Sequence, residues 1–256
     1  MAPDMKRIGR VPVERVMQKV DDLMAKRDLP GVERMLKYWL HEARFLKDTQ
    51  GEVVMLGELV GHYRKTQEKE KARESGEELQ MLLYVAHLED TILGATSFIN
   101  IGTTYNSFGE NAEALKLFRR ARTVYETQDA SPKLKSGLYN NMGLTCAALG
   151  MYDEALELYD LAREFGEKVP GGELEMAVTC ANRANALEAR DGTEKAEEEI
   201  CALLEEAWTL LHHQALPRDG YMAYVYTTMA PVYSYYGYFY ESAVLEREAE
   251  ELYAGA

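Results

Sequence analysis

Five histidines, three cysteines and a run of glutamates are the side chains with which this 256-residue chain could do acid–base, nucleophilic or metal chemistry. Their spacing supports none of it. His41, His62, His87, His212 and His213 form no HExxH or ExxH pattern, the arrangement that sets metal ligands on one helix face. Glu197, Glu198 and Glu199 read as a solvated outer face rather than a cation site. The glycines are scattered instead of gathered in a phosphate-cradling loop, and no GxSxG or SxxK nucleophile appears. Cys146, Cys180 and Cys201 are odd in number and form no CxxC pair, which suits apolar fillers in a reducing, cytoplasmic setting. The expectation is a protein that is no enzyme and uses no cofactor or metal.

Amide and hydroxyl side chains remain. Asn100, Asn141 and Asn182 are evenly spaced along the chain, with Thr103 near the first and Asn140 beside the second. An amide offers a donor and an acceptor, so it can match a peptide bond without reading the side chain beside it. Asparagine also costs a helix a few tenths of a kcal/mol. These residues either contact a ligand or tie neighbouring elements together, and the sequence leaves both open. Near the C-terminus Tyr221, Tyr224, Thr228 and Tyr235 follow one helical face, while Tyr226, Met229 and Tyr233 follow another. Tyr224 and Tyr235 are candidates for partner contact, because tyrosine buries area at low entropic cost. The alternative is that the cluster only closes the end of the fold. A hydrogen bond contributes about 1 kcal/mol net, whereas micromolar binding needs about 8, so any polar ladder needs apolar pockets beside it.

The composition is that of a folded chain: 46% hydrophobic and 28% charged residues. A formal charge of −14 argues against nucleic acid, whose phosphates require clustered Lys and Arg. The charge-free stretch 220–240 contains eight tyrosines and Pro231, which makes it a poor membrane span. The start of the chain, from Met1 to Val16, holds no apolar run long enough for a signal peptide.

The elements that must position these residues show themselves as a repeat. Phe98, Ile101, Gly102, Tyr105, Gly109, Ala114, Phe118 and Ala121 return, at a constant shift of 41, as Tyr139, Met142, Gly143, Cys146, Gly150, Ala155, Tyr159 and Ala162. The large residues recur at helical spacing. Gly109 and Gly150 end the first helix of each unit, and the small residues mark where two helices approach closely. Each unit is a helix, a tight turn and a second helix. A further unit runs through Tyr226, Met229, Ala230, Tyr233, Gly237 and Ala249. In 172–213 a shift of 41 places Ala184 and Leu187 well but puts Arg183 on a core position, whereas a shift of 42 uses Gly192 better. Toward the N-terminus Leu56, Gly57 and Val60 fit the columns, and a weaker hairpin is expected over 11–48 around Leu29-Pro30-Gly31.

This pattern resembles the tetratricopeptide repeat, in the longer-period form of kinesin light chains and bacterial peptide-pheromone receptors. The resemblance covers roughly residues 50–253. It implies an all-α, right-handed α-solenoid of about six stacked helix-turn-helix repeats, forming one superhelix over 1–256. The expected units are 11–48 (a degenerate hairpin or a cap), 51–88, 91–128, 132–168, 172–213 and 219–253. First helices would line a concave face and second helices the convex one. Charge is absent over 91–109, 136–152 and 220–240, so the expected groove is neutral, and most of the acid falls on second helices. That disfavours the family branch that grips a C-terminal carboxylate with Lys, Arg and Asn from successive first helices, since such a grip needs charged donors in the groove. In kinesin-light-chain-like repeats, asparagines at the places of Asn100 and Asn141 line the groove and bond an extended peptide. The implied function is a cytoplasmic adaptor for a protein or extended peptide. Self-association through the tyrosine-rich end, giving a homo-oligomer, and a peptide sensor resembling the pheromone receptors are the alternatives.

Overall fold

The structure, a computed structural model, describes residues 9–255. Residues 1–8, half of the stretch read above for a signal peptide, lie outside the described residues. Twelve helices and no strand are found among the described residues. The chain divides into two compact units, with the division between Asp129 and Ala130.

The first unit holds α1 (Val13–Ala25), α2 (Leu29–Leu46), α3 (Thr49–Lys65), α4 (Lys69–Val85), α5 (Ile92–Ser107) and α6 (Asn111–Thr127). They pack as hairpins α1–α2, α3–α4 and α5–α6, with α3 also against α5. Three of these helices start with the same device, an acceptor side chain followed three residues later by glycine. Asp28 takes the Gly31 N–H at 2.9 Å, Asp48 the Gly51 N–H at 3.2 Å, and Thr91 the Gly94 N–H at 3.1 Å. At Gly94 a Cβ would run into the Leu88 backbone carbonyl, so glycine is required, whereas at Gly31 and Gly51 it would first meet the Asp28 and Asp48 carboxyl groups, which can shift. The first turn of the chain therefore lies at Lys26–Asp28, and Leu29-Pro30-Gly31 opens α2. Asp48 is buried and accepts a second bond, at 2.8 Å from the Val11 N–H, which fastens the entry to α1.

The second unit holds α7 (Pro132–Ala148), α8 (Tyr152–Gly166), α9 (Glu173–Asp191), α10 (Thr193–Leu211), α11 (Gly220–Tyr235) and α12 (Phe239–Gly255). Its hairpins are α7–α8, α9–α10 and α11–α12; α7 also touches α9, and α9 touches α11. Ser131 is the N-cap residue of α7 with Pro132 behind it, but its side chain makes no capping bond. Pro231 lies within α11, on its exposed side.

Gly102 and Gly143 occupy equivalent places. A Cβ on Gly102 would lie 2.7 Å from the Phe118 ring, and one on Gly143 would lie 2.5 Å from the Tyr159 ring. Both rings are fully buried, and each holds the same position in sequence relative to its glycine. The missing side chain lets the second helix press its largest ring onto the first. Gly109 and Gly150 then turn the chain at φ +78° and +76°.

Two registers differ from the sequence reading. In α3 the burial pattern follows α5 at a shift of 42, so Leu56, Val60 and Tyr63 stand where Phe98, Gly102 and Tyr105 do. Gly57 is therefore not the close-packing glycine; a Cβ there would meet only Asn100 Nδ2, at 3.8 Å. The bulk has changed sides. Val60 fills the first helix, and Gly76, the counterpart of Phe118, leaves room for Ile101 of the next hairpin. In α9 the shift of 41 holds, with Cys180, Ala184 and Leu187 buried in the columns of Tyr139, Gly143 and Cys146. Gly192 looked one residue late because α9 runs on to Asp191 and a single residue turns the chain. Gly192 has φ +83° and ψ +154°, a region open only to glycine. Arg183 does take the Met142 column, where its guanidinium is paired with Asp160 at 3.0 Å and with Glu199.

Candidate functional site in the second unit

On the face shared by α7, α9 and α11 lies a cleft of about 330 Å³. From α7 come Lys133, Ser136, Gly137 and Asn140, and from α9 come Glu175, Val178 and Thr179. Tyr221, Tyr224, Val225 and Thr228 come from α11, and the α8–α9 turn adds Val169 to Gly172. Spacings of three and four residues bring each set onto one helix face. The lining carries one charge of each sign, Lys133 and Glu175, beside its amides, hydroxyls and apolar groups.

Internal bonds hold the polar groups in place. Asn182 Nδ2 donates to Asn140 Oδ1 at 3.1 Å, and Thr179 Oγ1 stands 3.2 Å from the same oxygen. The Ser136 hydroxyl donates to the Ala162 carbonyl at 2.8 Å. The Tyr221 hydroxyl donates to Glu175 at 3.2 Å. Burial, with the Glu175 charge adding to it, pushes the Tyr221 phenol up to about 12. Tyr224 stacks on Tyr221 at 6.4 Å between ring centres and leaves 60% of its surface exposed. Tyr226, Met229 and Tyr233 are buried on the opposite side of α11. Tyr226 and Tyr233 donate to the carbonyls of Leu211 and Leu204.

The other sequence candidates are distributed differently. Asn182 lines a smaller hollow of about 170 Å³ with Tyr152, Asn185 and Ala189. Tyr235 is exposed, and its hydroxyl donates to Glu188 at 3.0 Å, beside a similar bond from Tyr236. Asn141 is half-buried on α7 outside the cleft lining. Asn100, exposed, and Thr103, half-buried, lie on α5 in the first unit. Sequence reasoning missed Lys133, Gly137, Glu175 and Val178, which lie outside the repeat columns. It also missed Asn106 in the first unit, whose buried Oδ1 has no partner among the described residues.

Residues 95–127 match the family model described as tetratricopeptide repeat. That segment is therefore similar to one tetratricopeptide repeat, and the helical-hairpin fold resembles that of kinesin-light-chain-like proteins. The protein kinesin light chain-related 2 of Arabidopsis thaliana is 31% identical to it over 151 residues. The match covers 56% of this chain and 21% of that protein, so the chain spans about a fifth of the length of this curated relative. The crystal structure of BtubC (BKLC) from P. vanneervenii superposes with a TM-score of 0.59 at 14% identity, covering 94% of this chain and 91% of the other. A putative kinesin light chain of Podosopora anserina with nearly identical TPR-like repeats gives a TM-score of 0.57 at 16% identity, covering 80% and 96%. Likeness at these identities shows the fold. Among the described residues no helix is long and apolar enough to cross a membrane.

Proposed function

We propose that this protein is a scaffold that holds a protein segment or extended peptide against α7, α9 and α11 of its second unit. The observation that carries the reading is the cleft itself. It joins an exposed tyrosine pair to a glycine-bearing wall and to an amide already oriented by its neighbours. Asn140 and Tyr224 make contact in this reading, whereas Asn182 and Tyr235 act as ties between first helices. Asn182 holds Asn140, and Tyr235 holds Glu188. Asn100, Thr103 and Asn141 are further contact points on their own helices, outside the cleft. The setting proposed is cytoplasmic.

Selection from a random peptide library against the whole chain tests the reading. Selected peptides should lose at least tenfold in affinity on Tyr224→Ala. Peptides that bind the variant unchanged would place the site elsewhere.

A second reading has its own observation. Phe239 and Tyr240, at the start of α12, are 70% and 75% exposed. We propose this corner as a contact for self-association. Sedimentation should show dimers that dissociate on Tyr240→Ser, and a monomer at every concentration removes the idea.

A further inference from the structure

Two outer helix faces, one in each unit, are opposite in charge and alike in layout. On α2 the exposed residues Arg34, Tyr38, His41 and Phe45 are spaced four, three and four apart, which sets them in one line along the helix. Neither glutamate of α2 is exposed, and Glu33 is already held by Lys37 at 2.8 Å and by Lys71 at 3.3 Å. Arg34 has no carboxylate partner among the described residues. Phe45 leaves 78% of its surface bare at the end of the line. Beside it Arg44 pairs with Glu78 of α4, which draws the exposed Met81, one turn on from Glu78, toward the same end. On α12 Tyr240, Arg247 and Glu251 form a second exposed line, with Phe239, Glu246 and Glu250 next to it. Glu246, Glu250 and Glu251 have no cation partner among the described residues. Residues 29–47 hold four Lys and Arg against two Glu, whereas 239–255 hold five Glu against one Arg. The lengths match as well. Phe45 and Arg34 are eleven residues apart, as are Tyr240 and Glu251, which is three turns and about 16 Å on either helix. The order is reversed: the ring follows the cation on α2 and precedes the acid on α12.

We propose that α2 of one copy receives α12 of a second copy, the two helices running antiparallel. The proposal rests on the self-association reading and names the surface that Phe239 and Tyr240 meet. With Tyr240 on Phe45, Glu251 falls on Arg34, and an arginine–carboxylate pair forms three turns from the ring contact. Arg247, seven residues on from Tyr240, then reaches Tyr38, seven residues before Phe45, where its guanidinium lies on the ring. Every residue of the α12 line thus finds a complement. Pairing α12 with α12 would instead set five glutamates against five, and like charges brought together are costly. Tyrosine, phenylalanine and arginine are also the side chains that protein interfaces favour. The contact joins unlike surfaces, so it is heterologous.

Sedimentation of full-length variants, alone and mixed, tests the pairing. Phe45→Glu and Tyr240→Ser should each weaken self-association at least tenfold. An equimolar mixture of the two should pair again, because each variant keeps the surface that the other lacks. Recovery on mixing also shows that both are folded. Arg34→Glu should weaken association alone, and adding Glu251→Arg to the same chain should restore it, since the charges are then exchanged. A mixture that stays monomeric overturns the proposal, as does an Arg34→Glu protein that Glu251→Arg does not rescue. If Phe45→Glu associates like the unaltered protein while Tyr240→Ser does not, α12 meets α12; the self-association reading then stands and this pairing falls alone. A monomer at every concentration removes both.

Discussion

The two units of this chain build the same helical hairpin from different materials. The first, up to Asp129, is almost balanced in charge, with 21 acidic and 20 basic residues. The second holds 22 acidic and nine basic residues, and its excess of acid lies on α8, α10 and α12. Their turns differ as well. In the described part of the first unit Arg27, Lys47, Gln67, His87 and Asp129 all take positive φ, from +47° to +60°, with Gly9 and Gly109 the glycines that do so. In the second unit Gly150, Gly171, Gly192 and Gly237 do it. At Arg27, Gln67, Gly109 and Gly150 the left-handed turn is therefore imposed by the packing of the helices on either side, and glycine only makes it less costly, whereas Gly192, at ψ +154°, requires glycine. The hairpins α1–α2 and α3–α4 turn at positive φ on Arg27 and Gln67, as α5–α6 does on Gly109, yet in sequence they look degenerate.

The largest effect should come from the close-packing glycines. Gly143→Ala puts a methyl group into the Tyr159 ring and should cost about 1–3 kcal/mol in urea denaturation. Gly102→Ala should behave alike. Gly57→Ala, three residues away from the corresponding place in the first unit, should cost nothing and can gain helix propensity. A loss at Gly57 matching that at Gly143 would restore the register read from the sequence and break the swap of Val60 for Gly76.

Exchanging turn residues should give a smaller and opposite pair. Gly150→Ala forces an alanine to positive φ and should destabilise by roughly 1 kcal/mol, while Lys47→Gly should stabilise by up to about 1 kcal/mol. The measurement is the shift in midpoint at constant denaturant slope. If Lys47→Gly destabilises, its side chain has a role that the backbone argument omits.

Acid should separate the units with the smallest effect. The Lys37 ammonium, with the Tyr63 hydroxyl and Lys71, pulls the Glu33 carboxyl of the first unit down to about 2, against the opposing effect of burial. A depressed carboxyl contributes stability that is full above its ordinary range, near 4.5, and lost as pH falls toward 2. Glu33→Gln should therefore flatten the loss of stability in that window. In the second unit the crowded carboxylates repel one another, so added salt should slow amide exchange there more than in the first unit. Equal salt response in both would show that the acid is spread too widely to matter.

The legibility of the fold followed glycine and ring size. The columns through Gly102 and Gly143 were plain because a ring packed on a helix backbone leaves room for no other residue. In α3 and α4 the glycine column holds Val60 and the ring column holds Gly76, against which Ile101 of α5 packs, and the pattern shifted by three residues. The capping triplets at Asp28, Asp48 and Thr91 were present in the sequence but lay outside the repeat columns. Asn140, Tyr224 and Thr228 had been singled out in the sequence, and the structure places them in the lining of one cleft. The pairing of Asn140 with Asn182 was not legible there, because it falls one place off the repeat interval and depends on how far α9 is rotated against α7.

By itself the sequence determined that hairpins repeat, which residues are their core, and where the charge collects. These follow from local periodicity and from residue size, which each segment carries with it. Only the tertiary structure decided which exposed residues share a surface. Lys133, Gly137, Val178 and Tyr224 come from three helices separated by whole hairpins, and their proximity is set by helix rotation and tilt. Those are determined by the sum of many buried contacts, and no single spacing records them.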